Sequence, residues 1–239
     1  MQQPVTLVTG ASRGIGAATA KLLADNGHLV IGTGRHRPDN PPGPFFEMDF
    51  ADAEATAEAL SRIVAEYNVD HLVNNAGVSR SRTLLETSVE DMDLHYSVNL
   101  RAAVQCAQAV IPRMQAKGRG RIVNISSRVV LGRAERTPYA AAKAGLLSLT
   151  RCWALELAAS GITVNAIAPG PVRTELFDRN HPEGSEAYEK LLQTVPGKRF
   201  GTPDEVAAPI AFLLTDGAAY INGQVLYVCG GASIGSAPL

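Results

Sequence analysis

Short apolar, β-branched runs alternate with longer segments of helical period along the whole chain, and no other feature restricts the fold as strongly. The short runs fall at residues 5–9, 29–33, 45–48, 71–74, 121–126, 162–167 and 224–228. They are apolar almost throughout rather than at every second position, as in strands covered on both faces. Between them, helix-period segments lie near 14–26, 53–66, 88–116, 139–159, 184–194 and 203–214. Ser88, three residues before Asp91, is expected to cap the third of these. Such alternation predicts an α/β fold: a doubly wound parallel sheet of about seven strands, with right-handed crossovers and helices on both faces.

Two stretches interrupt the pattern. Residues 35–44, Arg-His-Arg-Pro-Asp-Asn-Pro-Pro-Gly-Pro, carry too many prolines for a crossover helix, so an extended loop is expected between the second and third strands. Residues 168–183, rich in Pro, Arg and Asp, read as a second irregular loop, and such loops in compact domains serve as lids more often than as linkers. With 239 residues and no repeat or composition shift, the expectation is a single domain spanning 1–239, with a substrate loop near 170–200. Lys and Arg total 22 against 23 Asp and Glu, so no global basic field argues for nucleic acid or an anionic membrane. No apolar run approaches the ~18–20 residues of a spanning helix, and Met-Gln-Gln-Pro does not begin a signal peptide, so a cytoplasmic location is expected. Cys106, Cys152 and Cys229 form no CxxC pair and read as small core residues; no metal site is expected.

The first strand runs into Gly10-Ala-Ser-Arg-Gly14-Ile-Gly16 and then a helix. A dinucleotide's pyrophosphate must approach bare backbone N–H groups at a positive helix N-terminus, where side chains would block it. At the end of the second strand, where a carboxylate would read the ribose hydroxyls of NAD, this chain has Gly34-Arg35-His36-Arg37, and Arg13 lies within the glycine turn. Guanidinium groups there suit a 2′-phosphate and hence NADP(H). The alternative left open is that Arg35 and Arg37 are solvated loop charges, with Asp39 close by.

Tyr139-Ala-Ala-Ala-Lys143 places a phenol and an ammonium one helical turn apart on one face. Near-neutral acid–base work needs a phenol lowered by about three pH units, or about 4 kcal/mol, which a nearby cation favours. Upstream, Ile125-Ser126-Ser127 ends a strand, at the edge where ligands sit in such sheets. Together with Gly10-x-x-x-Gly14-x-Gly16, Asn74-Asn75-Ala76-Gly77 and Tyr139-x-x-x-Lys143, these residues resemble the short-chain dehydrogenase/reductase family over essentially the whole chain. Within it, Pro169-Gly170-x-x-x-Thr174, Gly201-Thr-Pro-Asp-Glu205 and Tyr220-Ile-Asn-Gly-Gln224 look most like 3-oxoacyl-[acyl-carrier-protein] reductases.

The resemblance implies a Rossmann-like fold and a role for each residue. Tyr139 would be the acid in reduction and the base in oxidation, and Ser127 would bind the carbonyl oxygen. Lys143 would hold the nicotinamide ribose and depress the phenol, while Asn99 would help hold a water beside Lys143. Gly10, Ser12, Arg13, Gly14, Ile15 and Gly16 would receive the pyrophosphate, with Arg35 on the 2′-phosphate. Asp49 and Phe50 would read the adenine, Asn75, Ala76 and Gly77 would line the adenosine, and Pro169, Gly170, Val172 and Thr174 would hold the nicotinamide amide. Three departures stand out. The interval from Ser127 to Tyr139 is one residue shorter than usual, which leaves Ser126 as an alternative serine. The loop at 37–44 replaces a helix, and Ser160 stands where carrier-protein reductases often have Arg.

The implied activity is interconversion of a ketone and a secondary alcohol with NADP(H), on a small carbonyl or alcohol substrate. A 3-oxoacyl thioester leads, and a small cyclic, sugar-like or polyol substrate is the alternative. A catalytically inactive NADP(H)-sensing or scaffold protein is the rival of a different class. Ser79, Arg80, His95 and Arg128 would tune specificity but carry no signal beyond that of ordinary surface residues. Arg119, Arg121, Arg128, Arg133 and Arg136 form a basic group in the sequence. A homotetramer pairing the helices near 100–116 and 139–159 is expected by analogy.

Overall fold

The computed structural model describes residues 3–234. Seven strands, β1 (Val5–Thr9), β2 (Leu29–Gly34), β3 (Phe45–Glu47), β4 (His71–Asn74), β5 (Gly120–Ile125), β6 (Ile162–Pro169) and β7 (Val225–Val228), form one sheet in the order β3-β2-β1-β4-β5-β6-β7. Every neighbouring pair is parallel. The chain builds outward from β1 to β3, then returns to β4 on the other side of β1. That reversal opens a crevice beyond the C-terminal ends of β1 and β4, where ligands bind in such sheets.

Helices α1 (Gly14–Asp25), α2 (Ala53–Glu66), α3 (Val89–Tyr96), α4 (Ala102–Lys117), α5 (Thr137–Leu157), α6 (Glu175–Asn180), α7 (Glu186–Gln193) and α8 (Pro203–Leu213) complete the fold. One apolar core joins Leu60 and Ile63 of α2, Val110 and Met114 of α4 and Leu157 of α5 to the sheet. A second core, on the opposite face, joins Leu23 of α1 and Val206 and Ile210 of α8 to Val8, Val73 and Val123. Sheet residues such as Leu7, Leu72, Ile122 and Val164 are wholly buried, which is why their strands read as continuous apolar runs.

Residues 35–44 form an extended connection with no helix, as their prolines require. Two other segments differ from the sequence reading. Residues 168–183 are not irregular throughout: β6 continues to Pro169, and Thr174 caps α6 by accepting a hydrogen bond from the Phe177 N–H. Phe177, Tyr188 and Phe200 then meet edge to face, with ring centroids 4.7–6.5 Å apart, and build a small third core beneath the substrate loop. The segment near 88–116 begins, as expected, with Ser88 accepting from the Asp91 N–H. It is two α-helices, however, joined by the π-helical turn Ser97–Arg101. Of the cysteines, Cys106 is a core residue whose thiol burial pushes up to about 12, whereas Cys152 is exposed and Cys229 half-buried.

Candidate active site

The glycine turn is shaped by close approach. A Cβ on Gly16 would lie 2.1 Å from the Gly10 carbonyl oxygen, and one on Gly10 would lie 2.9 Å from the Ala76 Cα. Gly10 and Gly14 also hold φ values of +66° and +56°, in the left-handed region. Thr9 Oγ1 accepts from the N–H groups of Asn75 and Ala76, while Asn75 Nδ2 donates to the carbonyls of Thr9 and Gly10. The ends of β1 and β4 are thereby stitched together.

Helix α1, unlike α2, α3, α6, α7 and α8, receives no side-chain cap: Arg13 occupies the N-cap position without such a bond. Its first N–H groups are left for an anion. A Cβ on Gly34 would clash with Ser12 Oγ, so the end of β2, which leads into exposed Arg35, abuts the glycine turn that carries exposed Arg13. A Cβ on Gly14 would meet Thr174 Cγ2 at 3.2 Å, which ties the turn to the segment Pro169, Gly170, Val172 and Thr174. These residues fit a nucleotide diphosphate with an additional phosphate. Asp49 is exposed, with its carboxylate accepting from the Ala51 N–H, whereas the Phe50 side chain is packed into the core. Phe50 can therefore offer an adenine only its main chain.

Beyond the crevice, Gly77, Asn99 and Lys143 meet. A Cβ on Gly77 would lie 2.8 Å from Asn99 Oδ1 and 3.4 Å from Lys143 Nζ. Asn99, in the π-helical turn, accepts from the Val78 N–H at 2.9 Å and donates to its carbonyl at 3.0 Å. Lys143, almost fully buried, donates to the Ile125 carbonyl at 2.7 Å, and burial brings its ammonium from 10.5 down to about 8.

The two serines after β5 diverge. Ser126 Oγ donates to the Lys143 carbonyl at 2.9 Å, so it braces the helix that carries the lysine. Ser127 caps a short 3-10 turn, Arg128–Leu131, its hydroxyl accepting from the Val129 N–H, and that hydroxyl lies near enough to the Tyr139 phenol to draw its pKa down. Burial raises the Tyr139 pKa; Ser127 and the Arg136 guanidinium oppose it without cancelling it. Lys143, meanwhile, is directed to a main-chain carbonyl.

His95, with no distinguishing signal in the sequence, is wholly buried beside Tyr139, with ring centroids 6.3 Å apart. The Arg80 N–H donates to His95 Nε2, which leaves Nδ1 to donate to the Asp91 carbonyl at 2.7 Å. Asp91, beyond its place in the cap, is a buried carboxylate ion-paired to Arg80 and Arg82. Nothing in the sequence singled out this pairing, because its partners are nine and eleven residues apart. Among the described residues, no group of three or more His, Cys, Asp or Glu side chains is placed to hold a metal ion.

A dinucleotide crevice beside a Ser-Tyr-Lys arrangement defines a Rossmann-like oxidoreductase. Residues 10–233 match a family model described as Enoyl-(Acyl carrier protein) reductase, and the chain belongs to the short-chain dehydrogenase/reductase family. It is 38% identical to the 3-oxoacyl-[acyl-carrier-protein] reductase FabG of Thermotoga maritima, covering 98% of this chain and 99% of that one. It is 37% identical to the (2S)-[(R)-hydroxy(phenyl)methyl]succinyl-CoA dehydrogenase subunit BbsD of Thauera aromatica, covering 98% of each. Among solved structures, a candidate NAD(P)-dependent gluconate 5-dehydrogenase from Beutenbergia cavernae, with NADP bound at low occupancy, superposes with a TM-score of 0.90 at 34% identity over 96% of each chain. No helix among the described residues is long and apolar enough to cross a membrane.

Proposed function

We propose that this chain is an NADP(H)-dependent ketone reductase and alcohol dehydrogenase acting on a 3-oxoacyl thioester. The observation that carries the reading is the placing of Ser127, at the end of β5, near the Tyr139 phenol, with Lys143 one turn along α5 and its Nζ beside Gly77. Two neighbouring hydroxyl groups suit a carbonyl oxygen. The chemistry supplied by a bound nicotinamide is delivery or removal of a hydride at the substrate carbon. Ser127 holds the oxygen on which negative charge develops, and Tyr139 Oη gives up its proton to that oxygen in reduction or receives one in oxidation. The raised phenol pKa keeps Tyr139 protonated at neutral pH, the state reduction needs. Lys143 and Asn99 form the polar floor behind the phenol, and Lys143 would turn from the Ile125 carbonyl to hold the ribose.

Arg13 and Arg35, on the abutting glycine turn and end of β2 and with no carboxylate partner among the described residues, support NADP(H) over NAD(H). FabG and BbsD, both named for thioester substrates, support the acyl thioester. The gluconate 5-dehydrogenase likeness favours a second reading, a polyol or sugar-like substrate. A sensing or scaffold role without catalysis is disfavoured because Asn99, Ser127, Tyr139 and Lys143 are all present. The reading carries one domain with its substrate loop at 170–200, a cytoplasmic location and a homotetramer. Exposed Val89, Met92 and Tyr96 of α3 and Leu155 of α5 support association, which a solution mass measures.

The test is NADPH oxidation across 3-oxoacyl thioesters, enoyl thioesters, cyclic ketones and polyol-derived ketones, with Tyr139→Phe alongside. Thioester turnover is expected, falling ~10²–10⁴-fold in the variant while NADPH binding persists. Undiminished turnover by Tyr139→Phe would remove the phenol from its role. Turnover of polyol-derived ketones alone would favour the second reading.

A further inference from the structure

Helix α3 turns a polar face inward. The two residues it buries fully are Asp91 and His95, while Val89, Met92 and Tyr96 are exposed on its other side. A buried carboxylate and a buried imidazole cost free energy unless their polar atoms find partners, so apolar residues would serve a merely packed helix better. Both side chains are spent on one target, the segment Val78–Arg82. His95 Nε2 accepts from the Arg80 N–H at 3.2 Å, and the Asp91 carboxylate accepts from Arg80 Nη1 at 3.3 Å and Arg82 Nε at 2.9 Å. Asp91 and His95 lie one helical turn apart, so Arg80 is held by main chain and side chain from a single face.

The segment so held runs alongside the first turns of α5. At its start, Gly77 lies beside Lys143 Nζ, and Asn99 grips Val78 by both its N–H and its carbonyl. At its end, the Arg82 N–H donates to the Glu135 carbonyl at 2.9 Å, a backbone bridge pairs Arg82 with Arg136, and Ser81 Oγ donates to the Glu135 carboxylate at 3.1 Å. Arg136 precedes Tyr139 by about one turn and Lys143 follows it by one, so the middle of the segment passes level with the phenol. There the His95 ring meets the Tyr139 ring edge to face, with centroids 6.3 Å apart and planes at 76°. One imidazole thus touches both the segment and the tyrosine. Because Nε2 accepts, the imidazole is neutral with its proton on Nδ1, and that proton is committed to the Asp91 carbonyl at 2.7 Å. Neither nitrogen is left to exchange a proton with the phenol.

We propose that His95 is a positioning residue of the reaction: it holds the segment Val78–Arg82 through Nε2 and the Tyr139 ring through its edge, so that the carbonyl substrate meets a preformed wall beside its proton donor. The proposal rests on the reading of Tyr139 as that donor and adds to it a residue that touches no reacting atom. A wall fixed in advance spares the substrate the cost of ordering it, which is read in KM. A phenol held at one angle favours the reactive arrangement, which is read in kcat.

The experiment separates the two contacts, using the carbonyl compound that the wild type reduces fastest. His95→Phe keeps an aromatic edge for Tyr139 and loses the acceptor for the Arg80 N–H; His95→Gln keeps an acceptor and loses the ring. His95→Phe is expected to raise KM ~10-fold, the scale of one hydrogen bond, with kcat within about threefold of the wild type. His95→Gln should do the reverse, lowering kcat several-fold with KM within about threefold. Equal losses in both variants, or no loss in either, overturn the proposal, because a residue that only fills space would not split the two constants. A fall of ~100-fold or more in kcat in both, with a limb missing from the pH–rate profile, makes the imidazole a proton carrier and overturns it as well. Hydrogen exchange of peptides spanning residues 78–82 needs no substrate. It should quicken ~10-fold in His95→Phe and not in His95→Gln, while peptides of β5 match the wild type. Unchanged exchange in His95→Phe, or quickening that extends to β5, overturns the hold on the segment. If the wild type reduces no carbonyl compound, the reading of Tyr139 falls instead, and exchange alone sustains or overturns the contact with Arg80.

Discussion

At the N-terminal ends of the strands, Lys117 pairs with Asp70 and Arg119 with Asp216, and Arg121 reaches the same Asp216. At the C-terminal ends, buried Lys143 has only the carbonyl of Ile125, and Arg128 only that of Ala232. At the first end each of these cations is matched with a carboxylate; at the second Arg80 and Arg82 share buried Asp91, but Lys143 and Arg128 face no carboxylate among the described residues. Cations held by main-chain oxygen keep their full charge for something else to meet. An unmatched buried charge is a stability cost, so the contrast between Lys143 and the matched cations sets apart a place where the fold accepts that cost.

Three measurements can break or sharpen this contrast. The largest effect concerns His71 at the paired end, where burial lowers the imidazole from 6.5 to about 4, with His28, Arg119 and Arg121 adding to the shift and Asp70 opposing it. The unfolded chain takes up a proton near 6.5, whereas the folded chain resists until about 4, so acidification across that interval favours unfolding by about 3 kcal/mol. His71→Phe should remove that part of the acid sensitivity in urea titrations at pH 7, 5.5 and 4. An unchanged pH slope would mean that other groups set the acid limit.

At the unpaired end the sign reverses. Lys143 releases its proton near 8 in the folded chain and near 10.5 when unfolded, so stability rises with pH between those values and the ammonium is a burden at neutrality. Lys143→Met should raise stability at pH 7 by about 2 kcal/mol, since the Ile125 carbonyl loses its donor and offsets part of the gain. The advantage should vanish near pH 10, and carbonyl reduction should be lost. A variant less stable at pH 7 would show that the ammonium is well compensated where it lies. The smallest effect is at the crevice rim: Arg35→Asp should weaken NADPH binding ~10-fold and leave NADH nearly untouched, read by fluorescence titration. Equal losses for both cofactors would make Arg35 a general contact rather than a reader of the 2′-phosphate.

The parallel sheet was legible because burial on both faces keeps the strands mostly apolar; Leu72 and Val73 of β4 are wholly buried, with polar His71 and Asn74 only at its ends. The glycine turn was legible for the opposite reason: at Gly10 and Gly16 a side chain has nowhere to go. Less legible were features that depend on partners distant in sequence. His95 looked like any helix-surface histidine until α3 placed it against Tyr139 and Arg80. Ser126 and Ser127 could not be separated by spacing, because what distinguishes them is whether Oγ donates to the Lys143 carbonyl or accepts from the Val129 N–H on the side of the phenol. The helix after Thr174 was hidden by the prolines and charges around it, and the aromatic cluster of Phe177, Tyr188 and Phe200 draws on three separate segments.

The π-helical turn at Ser97–Arg101 acts as a phase shift between two helices that share one axis. An α-helix advances about 100° and 1.5 Å per residue, so deleting a single residue there would restore regular winding while rotating α4 by that angle relative to α3. Asn99 could then no longer grip both the N–H and the carbonyl of Val78. One surplus residue thus lets two faces of different periodicity coexist: α4 keeps Val110 and Met114 seated on the sheet, and α3 keeps His95 turned toward the phenol. A length change at this point is accordingly a change of gearing between scaffold and chemistry, and homologous chains that differ by one residue here would be expected to differ in which asparagine, if any, reaches the site.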